Sequence, residues 1–183
     1  MQPIGPLMHE HRLIERLIRL MEKEAGRIEA GGSPDSRMID EAVDFFRTYA
    51  DRCHHGKEEE ILFIELRRKP LSVEEQRVLG ELIEEHVRGR ALVRAISEAN
   101  ARTTPGDPAA AATLVPLLRE LCGFYRGHIA KEDQHFFHPI MRHFTRQEMD
   151  AMLLAFDAVE IRVFRDKYAA VVTSREQAAT EPA

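Results

Sequence analysis

The sequence predicts an all-α protein: an antiparallel up-down four-helix bundle with an additional C-terminal helix packed alongside it. Apolar residues recur at steps of three, four and seven over long stretches, which is the pattern of amphipathic helices. No stretch shows the strict alternation of apolar and polar residues that is typical of a half-buried strand. The breaks between the helical stretches are short, and short links place successive helices antiparallel in a bundle.

The first two predicted helices are separated by Gly31-Gly32-Ser33-Pro34. The second is expected to run from about Asp35 to Arg68, with Ser33 as its N-cap and Pro34 as its first helical residue. One histidine lies within the apolar face of the first helix, which comprises Leu7, His11, Ile14, Ile18, Met21 and Ile28.

The second helix contains two pairs of adjacent polar residues, His54-His55 and Glu58-Glu59, and the apolar period indicates which member of each pair faces the interior. His54 falls in phase with the apolar face, whereas His55 falls with Asp51. We therefore expect His54 to point inward and His55 toward water. By the same reasoning Glu58, rather than Glu59, is expected to face the interior.

Two capping boxes predict the starts of the third and fifth helices. Ser72-Val73-Glu74-Glu75 opens a helix that should reach about Asn100 and that has His86 within its apolar face. Thr145-Arg146-Gln147-Glu148 opens a helix that should reach about Ala170.

The fourth helix is predicted to begin near Pro108 or Pro116, since an interior proline removes a helix hydrogen bond. It carries His128 and Glu132 among its apolar positions. Pro139 is expected to end or kink it.

A ten-residue motif occurs twice. The stretch from His54 to Phe63 and the stretch from His128 to Phe137 both read H-x-x-K-E-[ED]-x-x-[LF]-F, 74 residues apart. His11 and His86 lie 75 residues apart, so the first two helices match the next two in the placement of their polar core residues. This spacing predicts a site with pseudo-twofold symmetry.

Together these positions predict a metal site inside the bundle. Each of four helices places one histidine on an apolar face, and two add a glutamate one turn later. Any one of these histidines alone would more often be a hydrogen-bonded core residue, and the acidic run at Glu58 a solvated face. Buried imidazoles and carboxylates are nevertheless costly unless they are paired or bind a metal, and this donor set suits iron, with manganese or zinc as alternatives. The predicted ligands are His11, His54, Glu58, His86, His128 and Glu132.

Three further residues are weaker candidates. His135 shares the helical face of His128 and Glu132, as a fifth histidine ligand or a neighbour of the ligands. Tyr125 lies three residues before His128 and could reach the metal or donate to a bound oxygen species. Arg90, one turn after His86, is expected to pair with a carboxylate or anion near the site, or with a neighbouring helix.

Taken together, the motifs resemble the hemerythrin-like family of HHE cation-binding domains. The resemblance covers about Leu7 to His143. It implies a non-haem di-iron centre, oxo- or hydroxo-bridged, in which the two glutamates bridge the irons and the six predicted residues are ligands. It rests on four segments: Glu10-His11-Arg12-Leu13-Ile14, His54-x-x-x-Glu58, Glu85-His86-Val87-Arg88-Gly89-Arg90 and His128-x-x-x-Glu132.

One position departs from the pattern of the family's invertebrate oxygen carriers. They have a second histidine one turn after the first on the third helix, where this chain has Arg90. A set of five histidines is therefore not evident from the sequence. The departure favours reaction with peroxide or nitric oxide, sensing or iron handling over simple dioxygen transport.

The resemblance implies a protein that binds or reacts with a small oxidant: dioxygen, peroxide or nitric oxide. Catalase- or oxidase-like activity and simple binding both need open coordination, so the sequence leaves both open. The alternative is an iron-donating or iron-sensing repair or regulatory protein on the same scaffold. A ferritin-like oxidase is disfavoured, because Glu132-x-x-His135 is the one Glu-x-x-His unit in the predicted helices. A metal-free helical interaction module is the fourth hypothesis.

Composition bounds the remaining possibilities. The 183 residues suggest one domain, with the bundle over residues 1–172 and a disordered tail over residues 173–183. The net charge of −5 and the scattered basic residues argue against a nucleic-acid partner. No apolar run is long enough for a membrane span, and no signal peptide is recognisable. With two cysteines and no disulfide pattern, we expect a cytoplasmic protein.

Overall fold

The computed structural model describes residues 2–103, 108–159 and 162–178, and within these ranges the chain is helical with no strand. The predicted all-α bundle with an additional C-terminal helix is confirmed, and two described helices follow the bundle. The helices are α1 (Ile4–Glu29), α2 (Ser36–Phe45), α3 (Phe63–Arg67), α4 (Val73–Ala101), α5 (Pro108–Lys131), α6 (Phe137–Ile140), α7 (Arg146–Val159) and α8 (Arg162–Ala178).

Two of the four bundle helices contain π-helical segments, whose hydrogen bonds run from residue i to i+5. The second bundle helix continues from α2 through two such segments, Phe46–His55 and Glu58–Leu62, into α3. The fourth continues from α5 through Glu132–Phe136 into α6 and a short 3₁₀ turn, Met141–His143. The π-helical segments coincide with the repeated motif, so the local helix geometry changes where the predicted site lies.

Two of the three N-caps predicted from the sequence are present in the structure. The capping boxes that begin with Ser72 and Thr145 both form. The prediction of Ser33 and Pro34 at the start of α2 is wrong, because the Asp35 side chain accepts the hydrogen bond from Met38 N at 2.9 Å. Glu24 of α1 fixes this cap by accepting from Asp35 N at 2.8 Å.

A polar layer divides the apolar core into two clusters. Along each bundle helix, one cluster lies on either side of the predicted ligand: on α1, Leu7 belongs to one cluster and Leu13 to the other, with His11 between them. On α4, His86 separates Leu82 from Leu92 in the same way. The four helices therefore bring their polar core residues to one level of the bundle.

The C-terminal helices pack on the outside of the bundle. Phe156 of α7 is buried in one apolar cluster, and Tyr168 of α8 is buried in the other. The predicted tail begins too early: α8 continues to Ala178, because Arg175 pairs with Glu41 at 2.7 Å and Glu176 accepts from Arg16 at 3.0 Å. Residues 179–183 of that tail lie outside the described residues.

Among the described helices, none combines the length and apolarity that crossing a membrane requires.

Candidate metal centre

The six residues predicted as ligands meet in the polar layer. None is more than 3% exposed. They come from α1, α4, α5 and the three π-helical segments of the second and fourth bundle helices. Within the described residues, their donor atoms fall into two groups that could each hold a cation.

The first group, here the two-histidine group, comprises His11, His54, Glu58 and Glu132. One donor atom from each lies within 4.8 Å of the others. Nε2 of His11 and Nε2 of His54 are 2.9 Å apart, so the two imidazoles converge on one point.

The second group, here the three-histidine group, comprises His55, His86 and His128, again with donor atoms within 4.8 Å. The prediction that His55 faces water is wrong, since the residue is 2% exposed. In a π-helix more residues make each turn, so adjacent residues are separated by a smaller rotation and both histidines of the pair face inward.

The internal repeat could have predicted that His55 faces inward. Superposing the two copies places His55 on Ile129, an apolar residue that is buried at 3% exposure. An apolar counterpart indicates an inward position, whereas the 3.6-residue period alone indicates the opposite.

The two glutamates lie between the groups. Glu58 Oε1 is 3.5 Å from Nε2 of His54, and its Oε2 is 3.4 Å from Nε2 of His86. Glu132 Oε2 is 3.2 Å from Nε2 of His11 and 3.4 Å from Nε2 of His128. Glu132 Oε1 is also 3.9 Å from Nε2 of His86, so each carboxylate contacts imidazoles of both groups, as a bridging ligand would.

Four carboxylates outside the layer hold the imidazoles through their other nitrogen. His11 Nδ1 donates to Asp133 at 2.8 Å, and His54 Nδ1 to Glu10 at 3.0 Å. The equivalent bonds in the second half of the repeat are those of His86 to Glu59, at 2.6 Å, and His128 to Glu85, at 2.9 Å. With Nδ1 held in this way, Nε2 of each imidazole faces the centre, the arrangement usual for metal-ligating histidine.

Sequence reasoning missed these supporting carboxylates: Glu10, Glu59, Glu85 and Asp133. Their pattern follows the internal repeat, and so do the lysines that pair with two of them. Lys57, which is fully buried, donates to Glu10, and Lys131 donates to Glu85. The available signal was an acidic residue directly beside four of the predicted ligands: His11, Glu58, His86 and Glu132.

Several buried polar atoms of the centre have no hydrogen-bond partner. Leaving a buried polar group unsatisfied costs about 1–3 kcal/mol each. Cations ligated by nitrogen and oxygen in the two groups would satisfy all of these atoms except one nitrogen of His55, so the residues present fit a metal. Within the described part of the chain, these atoms are both nitrogens of His55, Nε2 of His86 and His128, and both carboxylate oxygens of Glu58 and Glu132.

Without a cation, burial and the neighbouring charges shift the pKa values of several residues at the centre. Burial raises the pKa of Glu58 well above its usual range, and the nearby charge of Glu132 raises it further. Burial also lowers the pKa of His54, to about 4, with the charge of His11 acting in the same direction. For His11, burial is outweighed by Asp133 and Glu132, and its pKa rises to about 9. Metal binding to such a site is therefore expected to release protons.

Of the weaker candidates, His135 is exposed and lies in neither group. Its predicted inward face assumed an α-helical period, and the π-helical segment Glu132–Phe136 turns Phe136 inward instead. Tyr125 is buried with its ring parallel to that of His55 at 6.4 Å, but it too lies in neither group. Arg90 pairs with Asp51 and Glu59, each at 2.7 Å, which matches the expected link to a neighbouring helix.

Comparison with known proteins identifies relatives of this arrangement. The hemerythrin HHE cation binding domain matches residues 2–140. Three uncharacterised proteins, one from Mycobacterium bovis and two from strains of Mycobacterium tuberculosis, are 23% identical to this chain over 158 residues. The alignment covers 86% of this chain and 61% of each relative, so the chain spans about three fifths of their length. No solved structure gives a significant match.

Proposed function

The chain belongs to the hemerythrin HHE cation-binding domain family, and from that premise we propose that its centre holds two iron ions at which a small oxidant binds or reacts. The observation that carries the proposal is the position of Glu58 and Glu132 between two groups of imidazoles. Bound there, a pair of irons would supply the electrons that dioxygen, peroxide or nitric oxide accepts.

The proposed ligands are seven, one more than the sequence predicted. His11 and His54 would hold one ion, and His55, His86 and His128 the other, while the two glutamates bridge them. The fifth imidazole comes from the second bundle helix rather than from position 90. The absence of a histidine at position 90 is therefore no argument against dioxygen, which stays among the proposed oxidants.

The surrounding residues would tune the centre. The supporting carboxylates fix the orientation of four imidazoles and increase their basicity. Lys57 and Lys131 offset the charge that two of these carboxylates bring close to the layer. The apolar clusters on either side keep bulk water away from the ligands.

The decisive experiment is metal analysis of the purified chain with optical spectra, first reduced and then exposed to air. We expect about two irons per chain and new near-ultraviolet bands on oxidation. Peroxide and nitric oxide titrations would then distinguish the proposed reactions.

The matched variants are Glu58→Gln/Glu132→Gln and Glu60→Gln. The double variant should lose iron, whereas Glu60 is exposed on the same π-helical segment and its variant should keep both ions. Retention of two irons by the double variant would refute the bridging assignment.

A further inference from the structure

A surface cavity of about 270 Å³ reaches the candidate centre from one side. It lies where the π-helical segment Phe46–His55, α4 and α5 meet. His55 and Tyr125 are among its lining residues. Three further surface cavities, of about 310 to 510 Å³, are lined by no residue of the two histidine groups.

The lining of this cavity is cationic. It contains the guanidinium groups of Arg47, Arg90 and Arg94 against the single carboxylate of Asp51. Arg90 is engaged by Asp51 and Glu59. Arg47 and Arg94 are exposed, and among the described residues neither forms a hydrogen bond or ion pair. Two guanidinium groups are therefore available to a ligand.

The buried imidazole of His55 lines the cavity, with its Nδ1 3.5 Å from Oδ1 of Asp51. His55 is 2% exposed, and neither of its ring nitrogens has a hydrogen-bond partner within the described part of the chain. One face of its ring stacks on His86 with 3.9 Å between the centroids, and the ring of Tyr125 lies parallel to it at 6.4 Å. A molecule in the cavity would therefore contact a side chain of the three-histidine group.

We propose that this cavity is a docking site for a small inorganic anion and its route to the centre, with Arg47 and Arg94 as the residues that capture it. A cleft of one charge sign concentrates ions of the opposite sign and raises their association rate. A guanidinium group is always charged and offers five hydrogen-bond donors to an anion. The destination of the anion rests on the proposed function, whereas its capture by the two arginines does not.

The test compares three proteins: the wild type, Arg47→Gln/Arg94→Gln, and Arg19→Gln/Arg67→Gln. The last pair removes the same charge from exposed arginines of α1 and α3, outside this cavity. Azide is the anionic probe, and nitric oxide is the neutral one. In the metal-free proteins, NMR shifts of the arginine side chains report binding of the anion in the cavity. In the iron-loaded proteins, stopped-flow spectra report its binding at the centre.

For wild type we expect azide to shift the Arg47 and Arg94 signals without any metal. In the cavity variant, azide association with the iron-loaded centre should slow by about tenfold and lose most of its salt dependence. The control variant should behave as wild type, and nitric oxide should associate equally fast with all three.

Two results would overturn the proposal: no azide-induced shift of Arg47 or Arg94, or equal slowing of azide in the cavity and control variants. A chain that binds no iron would overturn the proposed function instead, and the metal-free titration would still decide whether the cavity captures anions.

Discussion

His55 and His86, from adjacent bundle helices, stack face to face with their ring centroids 3.9 Å apart and their planes 11° apart. Two charged imidazoles would repel each other at this distance, and burial together with His86 lowers the pKa of His55 well below its usual value. His55 is therefore neutral in the protein alone, which is the form that binds a metal.

Replacing His55 by alanine should remove about one iron per chain while leaving the helical content unchanged. The substitution takes one of three imidazoles from the three-histidine group and none from the two-histidine group. Metal analysis with circular dichroism measures both. His135→Ala is the control, because that exposed residue of the repeated motif lies in neither group. Equal iron in the two variants would exclude His55 as a ligand.

The supporting carboxylates should affect metal affinity without contributing a ligand atom. For Glu85→Gln we expect about 10–100-fold weaker iron binding, because the amide no longer accepts from His128 Nδ1 as a charged partner. Competition with a chelator measures the affinity. Glu84→Gln changes an exposed neighbour and should leave it unaltered. Comparable loss in both variants would indicate a general charge effect.

Chelator treatment should release iron slowly, over a time set by opening of the bundle, since every proposed ligand is at most 3% exposed. The melting temperature should fall as iron is lost, because a ligand bound by the folded state alone stabilises that state. Calorimetry during chelation would follow both changes. Rapid release with no change in melting temperature would favour the iron-donating alternative.

Glu75→Ala tests the start of α4 and gives a pH dependence. Burial raises the pKa of this carboxyl, but Ser72 and His143 lower it more strongly, to about 2. The stabilisation is therefore present above the ordinary pKa of 4.5 and is lost as the pH falls toward 2. We expect the variant to cost about 1 kcal/mol at pH 7 and less below pH 4.

Urea denaturation of the Glu75→Ala chain at several pH values provides the measurement. Glu74→Ala, in the same helical turn but exposed, is its control and should cost less at neutral pH. A cost for Glu75→Ala that stays constant down to pH 3 would contradict the role assigned to its charge.

Tyr168→Ala should destabilise the protein by about 3–5 kcal/mol, as the loss of a large buried aromatic side chain does. Tyr168 packs against Phe45 with 5.3 Å between their centroids, and its hydroxyl donates to Asp44. Urea denaturation would measure the change, with Ser174→Ala, an exposed residue of the same helix, as the control. A small effect would mean that α8 contributes little to the stability of the bundle.

The sequence predicted the helices, and it identified six of the seven residues that meet at the centre. It succeeded because His11 and His86 lie in α-helices, where the 3.6-residue period assigns the inner face correctly. It failed for His55 and His135, which lie in π-helical segments where the α-helical period no longer separates the faces of neighbouring residues, although it placed His54, Glu58 and Glu132 of those segments correctly. A period fitted to apolar residues carries no information about a local change in helix geometry.

The supporting carboxylates escaped prediction for a different reason. Glu59 and Asp133 lie on the flank of their helices, partly exposed, where an acidic residue ordinarily faces solvent. Their role follows from the distance between helices, which brings each of them within 2.8 Å of an imidazole on a neighbouring helix. Such pairings depend on how helices pack and cannot be read from one helix alone.

The polar layer that splits the core also bears on how the protein unfolds. The two apolar clusters meet across a layer in which polar atoms of His55, His86, His128, Glu58 and Glu132 have no hydrogen-bond partner within the described residues. Two cations, one in each group, would together crosslink all four bundle helices at one level. We therefore expect the iron-loaded chain to melt as one cooperative unit. The metal-free chain should exchange its amide hydrogens in two blocks, one at each end of the bundle.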